Sequence, residues 1–324
     1  MPALVTFSEP GLRVCVLGGT GFVGTELVSQ LAAAGHFVRV PTRALARGRH
    51  LSVLPTVEVL VANVHDPRVL GELLSGMDAV INLVGILNES RAQRFEQIHA
   101  ELVAKLIEAA RLARVRRLLH MSALGADEHA PSRYLVTKGR AETLLRGAAQ
   151  SLDVTIFRPS VIFGRGDSLT NRFAGLLRVG AGLLPLARPR ARFAPIFVDD
   201  VVSAFLQSLR ERATVGQTYE LCGPDVLTLA DLVRTIAVSA GLKCRIVPLP
   251  DVLARLQGLV LGMLPGKPFS LDNFRSLTVD SVCRENGCAR LGIEPLHLLA
   301  VVPTYLGGDS LQSRFGRYRE SAER

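Results

Sequence analysis

Apolar residues in the first half of this chain fall into short, β-branched runs, separated by longer stretches in which they recur at helical spacing. The runs are Arg13–Leu17, Phe37–Val40, Val57–Val61, Ala79–Val84, Arg117–Met121 and Val154–Phe157. Between them lie helical stretches: Glu26–Ala34; Phe95–Leu112, with Ile98, Leu102, Leu106 and Ala109 on one face; and Pro131–Ala149. Strand and helix in alternation predict an α/β fold, a doubly wound parallel sheet with helices on both faces. After Arg158-Pro159 the alternation stops, and a segment rich in Gly, Pro and Arg runs from Gly164 to Pro195. Ile196-Phe197-Val198 and the helix Asp199–Leu209 are then expected to return to the sheet, and Gln217–Gly223 to open a second lobe. The expected division is residues 1–165 plus about 193–214 for the first domain, and about 166–192 and 215–324 for a smaller α/β lobe. Leu253–Leu264 is apolar almost all round, broken by Arg255 and Gln257. It reads as core of the smaller lobe or as an interfacial segment, with core the expectation.

The first strand runs into a glycine turn spaced Gly18-x-x-Gly21-x-x-Gly24, which opens directly into a helix. In that context the three glycines have separate roles. One permits the turn, one lets a pyrophosphate approach the backbone, and one lets helix and strand pack closely. Thr20, Phe22 and Val23 share the turn, and the unpaired N–H groups of the new helix face the phosphates. A bound dinucleotide is the expectation. The second strand ends Val40-Pro41-Thr42-Arg43, with no carboxylate for ribose hydroxyls and with Arg47 and Arg49 close behind. Positive charge there favours NADP(H), with NAD(H) the alternative.

Composition narrows the partners. With 48% hydrophobic and 21% charged residues among 324, the chain is of globular type. The net charge of +9 comes with arginine clusters at Arg43–Arg49, Arg188–Arg192 and Arg314–Arg324. No nucleic-acid motif accompanies it, Trp is absent and aromatics are 5%, so anionic small molecules explain it more economically than nucleic acid. Five scattered cysteines predict reduced thiols and no metal site. No secretory signal or spanning run is visible, so the expected location is cytoplasmic.

Downstream, Tyr134-Leu135-Val136-Thr137-Lys138 puts a phenol and an ammonium on one helix face. To act as a base near neutrality, a tyrosine must lower its pKa of roughly 10 by about 3, or about 4 kcal/mol. A lysine and an oxidised nicotinamide supply the positive charge for that.

With the glycine turn, this pair resembles the short-chain dehydrogenase/reductase superfamily, in its extended epimerase/dehydratase branch. Asp78-Ala79-Val80-Ile81-Asn82-Leu83-Val84-Gly85 matches the family's fourth strand, and Thr155–Gly164 its sixth strand and following loop. Phe197-Val198-Asp199-Asp200-Val201 resembles the segment returning to the first domain, with the two aspartates read as helix caps. Ile81–Asn88, Leu118–Ala126, Pro131–Lys138 and Val302-Pro303-Thr304-Tyr305-Leu306-Gly307 are similar to the atypical group of the complex I accessory subunit of dehydrogenase fold and its bacterial relatives. The resemblance implies a Rossmann-type fold and cofactor contacts from Asn63, Val64, Leu83, Val84, Gly85, Lys138 and Pro159. It implies Tyr134 as acid/base, Lys138 as its partner and Ser122 as a substrate-orienting residue, on a small-molecule substrate that the sequence does not identify.

Departures from the active pattern accompany the likeness. The family's Ser or Thr commonly falls where this chain has Ala123 and Leu124, and its helix Asn is His99, read here as packed or solvated. The acidic residue after the third strand is Asn63, whose amide can still accept from an exocyclic amine. The same resemblance implies the alternative of a non-catalytic structural or assembly factor, associated with a respiratory complex or with ubiquinone metabolism at a membrane surface, peripheral to the inner membrane.

Overall fold

A computed structural model describes residues 11–90, 93–264 and 267–306. The expectations for the N-terminal ten residues and for the basic tail Arg314–Arg324 lie outside the described residues. Strands β1 (Arg13–Leu17), β2 (Phe37–Thr42), β3 (Val57–Val61), β4 (Ala79–Asn82), β5 (Arg117–Met121) and β6 (Asp153–Pro159) alternate with helices α1 (Phe22–Ala33), α2 (Leu45–Gly48), α3 (Pro67–Leu74), α4 (Leu102–Leu112) and α5 (Arg133–Gly147). Shorter pieces follow: β7 (Ile162–Phe163), α6 (Ser168–Val179), β8 (Leu183–Ala187), β9 (Arg192–Phe193), β10 (Ile196–Phe197), α7 (Val198–Arg210), β11 (Thr218–Leu221), β12 (Leu227–Thr228), α8 (Leu229–Ser239), β13 (Arg245–Leu249), α9 (Asp251–Leu261) and α10 (Leu271–Ser276).

The main sheet has seven parallel strands in the order β11-β6-β5-β4-β1-β2-β3, a Rossmann-type arrangement. The period-2 alternation of each buried strand divides the core. Val14 and Val16 face one cluster with Leu27 of α1 and Phe205 of α7; Cys15 and Leu17 face another with Leu70 of α3, Leu106 of α4 and Leu145 of α5. A third cluster joins α6, α8, β8 and β9 through Leu177, Ile236, Leu186 and Phe193.

The chain's return to the sheet differs from expectation. β10 pairs with β7 in a separate two-stranded sheet, so Ile196 of β10 and the helix α7 rejoin the main core without adding a strand to the main sheet. Thr218–Leu221, where the second lobe was expected to open, is instead the edge strand β11, in register with β6 from Thr218↔Ile156 to Leu221↔Pro159. Asp199 and Asp200 are not caps: they lie in the first turn of α7, and Asp200 accepts the N–H of Leu296 at 3.0 Å. Against the expectation of reduced thiols, Cys222 and Cys283 form a disulfide. The 61-residue separation hides the pair in the sequence, but the fold brings their Cα atoms to 6.0 Å, within bridging reach. In the Arg188–Arg192 cluster, Arg188 pairs with Asp251 at 2.7 Å and lies over the Phe274 ring. The stretch 253–264 is not core: only Ala254 and Gly258 of α9 are buried. Among the described residues no helix is long and apolar enough to cross a membrane.

Candidate functional site

The strand order reverses between β1 and β4, and the register Leu17↔Asn82 brings their carboxyl ends level. Such a switch point opens a crevice above the sheet. Gly18, at φ +81, turns the chain there, and a Cβ on it would press on the Leu83–Val84 backbone at 3.1 Å. A Cβ on Gly24 would lie 2.3 Å from Gly18 O and 2.6 Å from Gly19 Cα, so only glycine lets α1 pack this closely on the turn. Gly21 begins α1 without a side-chain cap, and the first turn holds no acidic residue. Thr20 and Phe22 are half-buried in this turn and Val23 is buried in the core below it; a helix start with unpaired N–H groups and no Cβ atoms suits a pyrophosphate.

Arg43 is exposed immediately past β2, beyond the buried Thr42. The acidic residue of this region, Glu58, is turned to Arg39 at 2.7 Å. His65 is held below its ordinary pKa by burial first and then by the charges of Lys105 and Arg43, which gather positive charge beside the ends of β2 and β3. Asn63 is exposed, and its side-chain oxygen accepts the His65 N–H at 3.1 Å, so the amide shapes its own loop; Val64 packs into the core beneath.

Beyond β4, Gly85 faces Lys138: a Cβ there would meet Lys138 Nζ at 3.4 Å and His99 Nε2 at 3.7 Å. Lys138 is buried and donates to Met121 O at 2.9 Å. Burial brings its pKa down to about 8. Tyr134, one turn earlier and half-buried, stands edge-on to the His99 ring at 5.4 Å, and burial pushes its phenol up to about 12. The site therefore brings Gly85, Tyr134, Lys138 and His99 together; Pro159, buried at the end of β6, accepts from Leu124 N.

Ser122 follows Met121, the acceptor for Lys138, and its side chain has a partner of its own. Its hydroxyl donates to Glu142 Oε1 at 2.5 Å, and Glu142 also receives Arg158 and Arg146. Glu142 lies about two turns along α5 from Tyr134.

His99 is packed, one of the two readings its sequence position allowed, but its partners were not foreseen. It sits in a π-helical turn, Glu96–Glu101, ahead of α4. Its Nε2 accepts the Ile86 N–H at 3.2 Å, which places the proton on Nδ1, 2.9 Å from Thr137 Oγ1. Burial, and next the Lys138 charge, bring its pKa down to about 2, so it is neutral, with both nitrogens engaged. Asn82 and the fully buried His120 pair at 3.2 Å under the same strand ends. Asp272 of α10 accepts the N–H groups of Arg133 and Tyr134 at 2.7 and 3.1 Å, capping α5 at the candidate acid/base residue. A substitution at the usual Asn position was the one signal pointing to His99; Asp272 left none.

A family model described as NAD(P)H-binding matches residues 18–173. NADH dehydrogenase (ubiquinone) 1 alpha subcomplex subunit 9 of Arabidopsis thaliana is 31% identical over 295 residues, spanning 86% of this chain and 73% of the plant protein. A ceramide reductase of Caulobacter vibrioides is 30% identical over 240 residues, 74% of each chain. Among solved structures, dTDP-glucose 4,6-dehydratase of Streptomyces venezuelae with NAD bound superposes with a TM-score of 0.71 at 21% identity, over 94% of this chain and 98% of that one.

Proposed function

The chain belongs to the atypical short-chain dehydrogenase/reductase family that includes the alpha subcomplex subunit 9 proteins, and from that membership we propose that it is an NADP(H)-dependent reductase. The observation that carries the reading is the meeting of Gly85, Lys138 and Tyr134 at the strand ends beside the glycine turn. When bound, the nicotinamide supplies a hydride to a carbonyl carbon. Tyr134, a phenol throughout the neutral range, gives its proton to the carbonyl oxygen and recovers one from solvent. Lys138, protonated below about pH 8, holds the ribose hydroxyls and steadies the tyrosinate left after transfer. His99 fixes Ile86 and the Thr137 turn and thereby positions Gly85 and Tyr134. Gly18, Thr20, Gly21, Phe22, Val23 and Gly24 would hold the pyrophosphate, with Leu83, Val84 and Val64 as further cofactor contacts, and Arg43 would meet a 2′-phosphate.

A second reading has its own observation. Ser122 is committed to Glu142, which leaves Tyr134 without the third member of an active set. This supports a cofactor-stabilised structural subunit of a respiratory complex, the kind of protein named among the relatives. Turnover separates the two. Following nicotinamide absorbance with quinones, carbonyls and sugar nucleotides, the reductase reading expects consumption that Tyr134→Phe lowers by at least about a hundredfold with nucleotide binding intact. No consumption, together with co-purification with a membrane complex, would favour the structural reading.

A further inference from the structure

A surface helix ordinarily turns its large apolar side chains toward the protein. Helix α9 does the reverse. Its buried positions are Ala254 and Gly258, and a Cβ on Gly258 would stand 3.1 Å from Leu271 N, so small residues let the helix lie close against its neighbours. Val252, Leu253, Leu256, Leu259 and Val260 are exposed, Val252 by 77%. At about 100° per residue, these five fill an arc of roughly 120°. Met263 and Leu264 extend the exposed apolar surface just past the helix, and Leu183 of β8 and Val247 of β13, the strands against which α9 packs, are exposed as well.

Exposed cations flank this face. Lys243, two residues before β13, and Arg245, its first residue, are exposed beside this face, and the carboxylate of α9 is Asp251. Arg188 neutralises that carboxylate at 2.7 Å. The arc itself is wholly aliphatic, with no aromatic or hydrogen-bonding side chain, whereas the cores of protein interfaces are enriched in Tyr, Trp and Phe. Aliphatic side chains flanked by Lys243 and Arg245 match acyl chains beneath anionic headgroups.

We propose that this face docks on a bilayer containing anionic lipid, with α9 lying in the interface and its aliphatic arc among the acyl chains. Arg255, at the flank of the arc, holds its guanidinium 5.8 Å from the Phe274 ring, so the cations offered to headgroups are Lys243 and Arg245. The docking stands on the surface alone and does not depend on the chemistry at Tyr134.

The test is co-sedimentation of the full chain with vesicles of phosphatidylcholine, with and without phosphatidylglycerol. The protein is expected to pellet with the mixed vesicles. The triple variant Leu253→Ser, Leu256→Ser, Val260→Ser should bind them at least about tenfold more weakly, with an unfolding midpoint no lower than the parent's. Lys243→Glu with Arg245→Glu should weaken binding to the mixed vesicles alone. A parent that does not pellet with mixed vesicles, or a triple variant that pellets equally well, overturns the proposal. So does a parent dimer that the triple variant dissociates while neither binds vesicles, which would assign the face to a second copy. NADPH titration of the same samples reports on the proposed reductase separately.

Discussion

His99 carries no charge in the fold because burial, assisted by the neighbouring Lys138 ammonium, brings its pKa from 6.5 to about 2. As pH falls below 6.5, an unfolded chain takes up a proton that the native one refuses, so stability declines with acidity by up to about 1.4 kcal/mol per pH unit from this residue. His120 adds a loss of the same sign. Lys138 acts in another window: lowered from 10.5 to about 8, it makes stability rise as pH climbs between those values. His99→Gln, which keeps an acceptor for Ile86 N–H, is expected to flatten the acid limb of the stability profile below pH 6.5. An acid limb parallel to the parent's would contradict this account of His99. The Tyr134–Lys138 pair was legible because its spacing is local. The fate of Ser122 was not, because its acceptor Glu142 comes from α5 and is itself paired with Arg146 and with Arg158 of β6.

The glycine turn shows why elements are legible at their junctions. Gly24 has no room for a Cβ beside Gly18 O, whereas nothing lies within 4 Å of a Cβ built on Gly71 in α3. Gly24→Ala should therefore cost about 1–3 kcal/mol of stability by overpacking and weaken nucleotide binding. Gly71→Ala should be stabilising by about 0.5–1 kcal/mol. Equal unfolding midpoints for the two variants would refute the packing argument. The π turn bearing His99 escaped notice because apolar spacing over Phe95–Leu112 fits an ordinary helix. The Asp272 cap on α5 escaped because it lies 138 residues from Tyr134. In α9 the pattern announced an apolar helix, but the burial of Ala254 and Gly258 decided which side faces out.

Across the whole molecule, alternation of strand and helix sufficed for the first six strands and the two-sided core. It could not place β11, whose edge position beside β6 follows from a return through α7 rather than from any local pattern. The charge excess also resolves by place: Arg188 fastens α9 through Asp251, while Arg43 stands open at the cofactor end. That difference bears on the central claim, that the crevice above β1 and β4 takes NADP(H) through Arg43. Titration of the parent and of Arg43→Glu with NADPH and NADH tests it most directly. A guanidinium–phosphate contact of about 1.5–3 kcal/mol predicts that the parent prefers NADPH by roughly ten- to a hundredfold, and that the variant loses this preference while retaining its NADH affinity. Unchanged NADPH affinity in Arg43→Glu would contradict it.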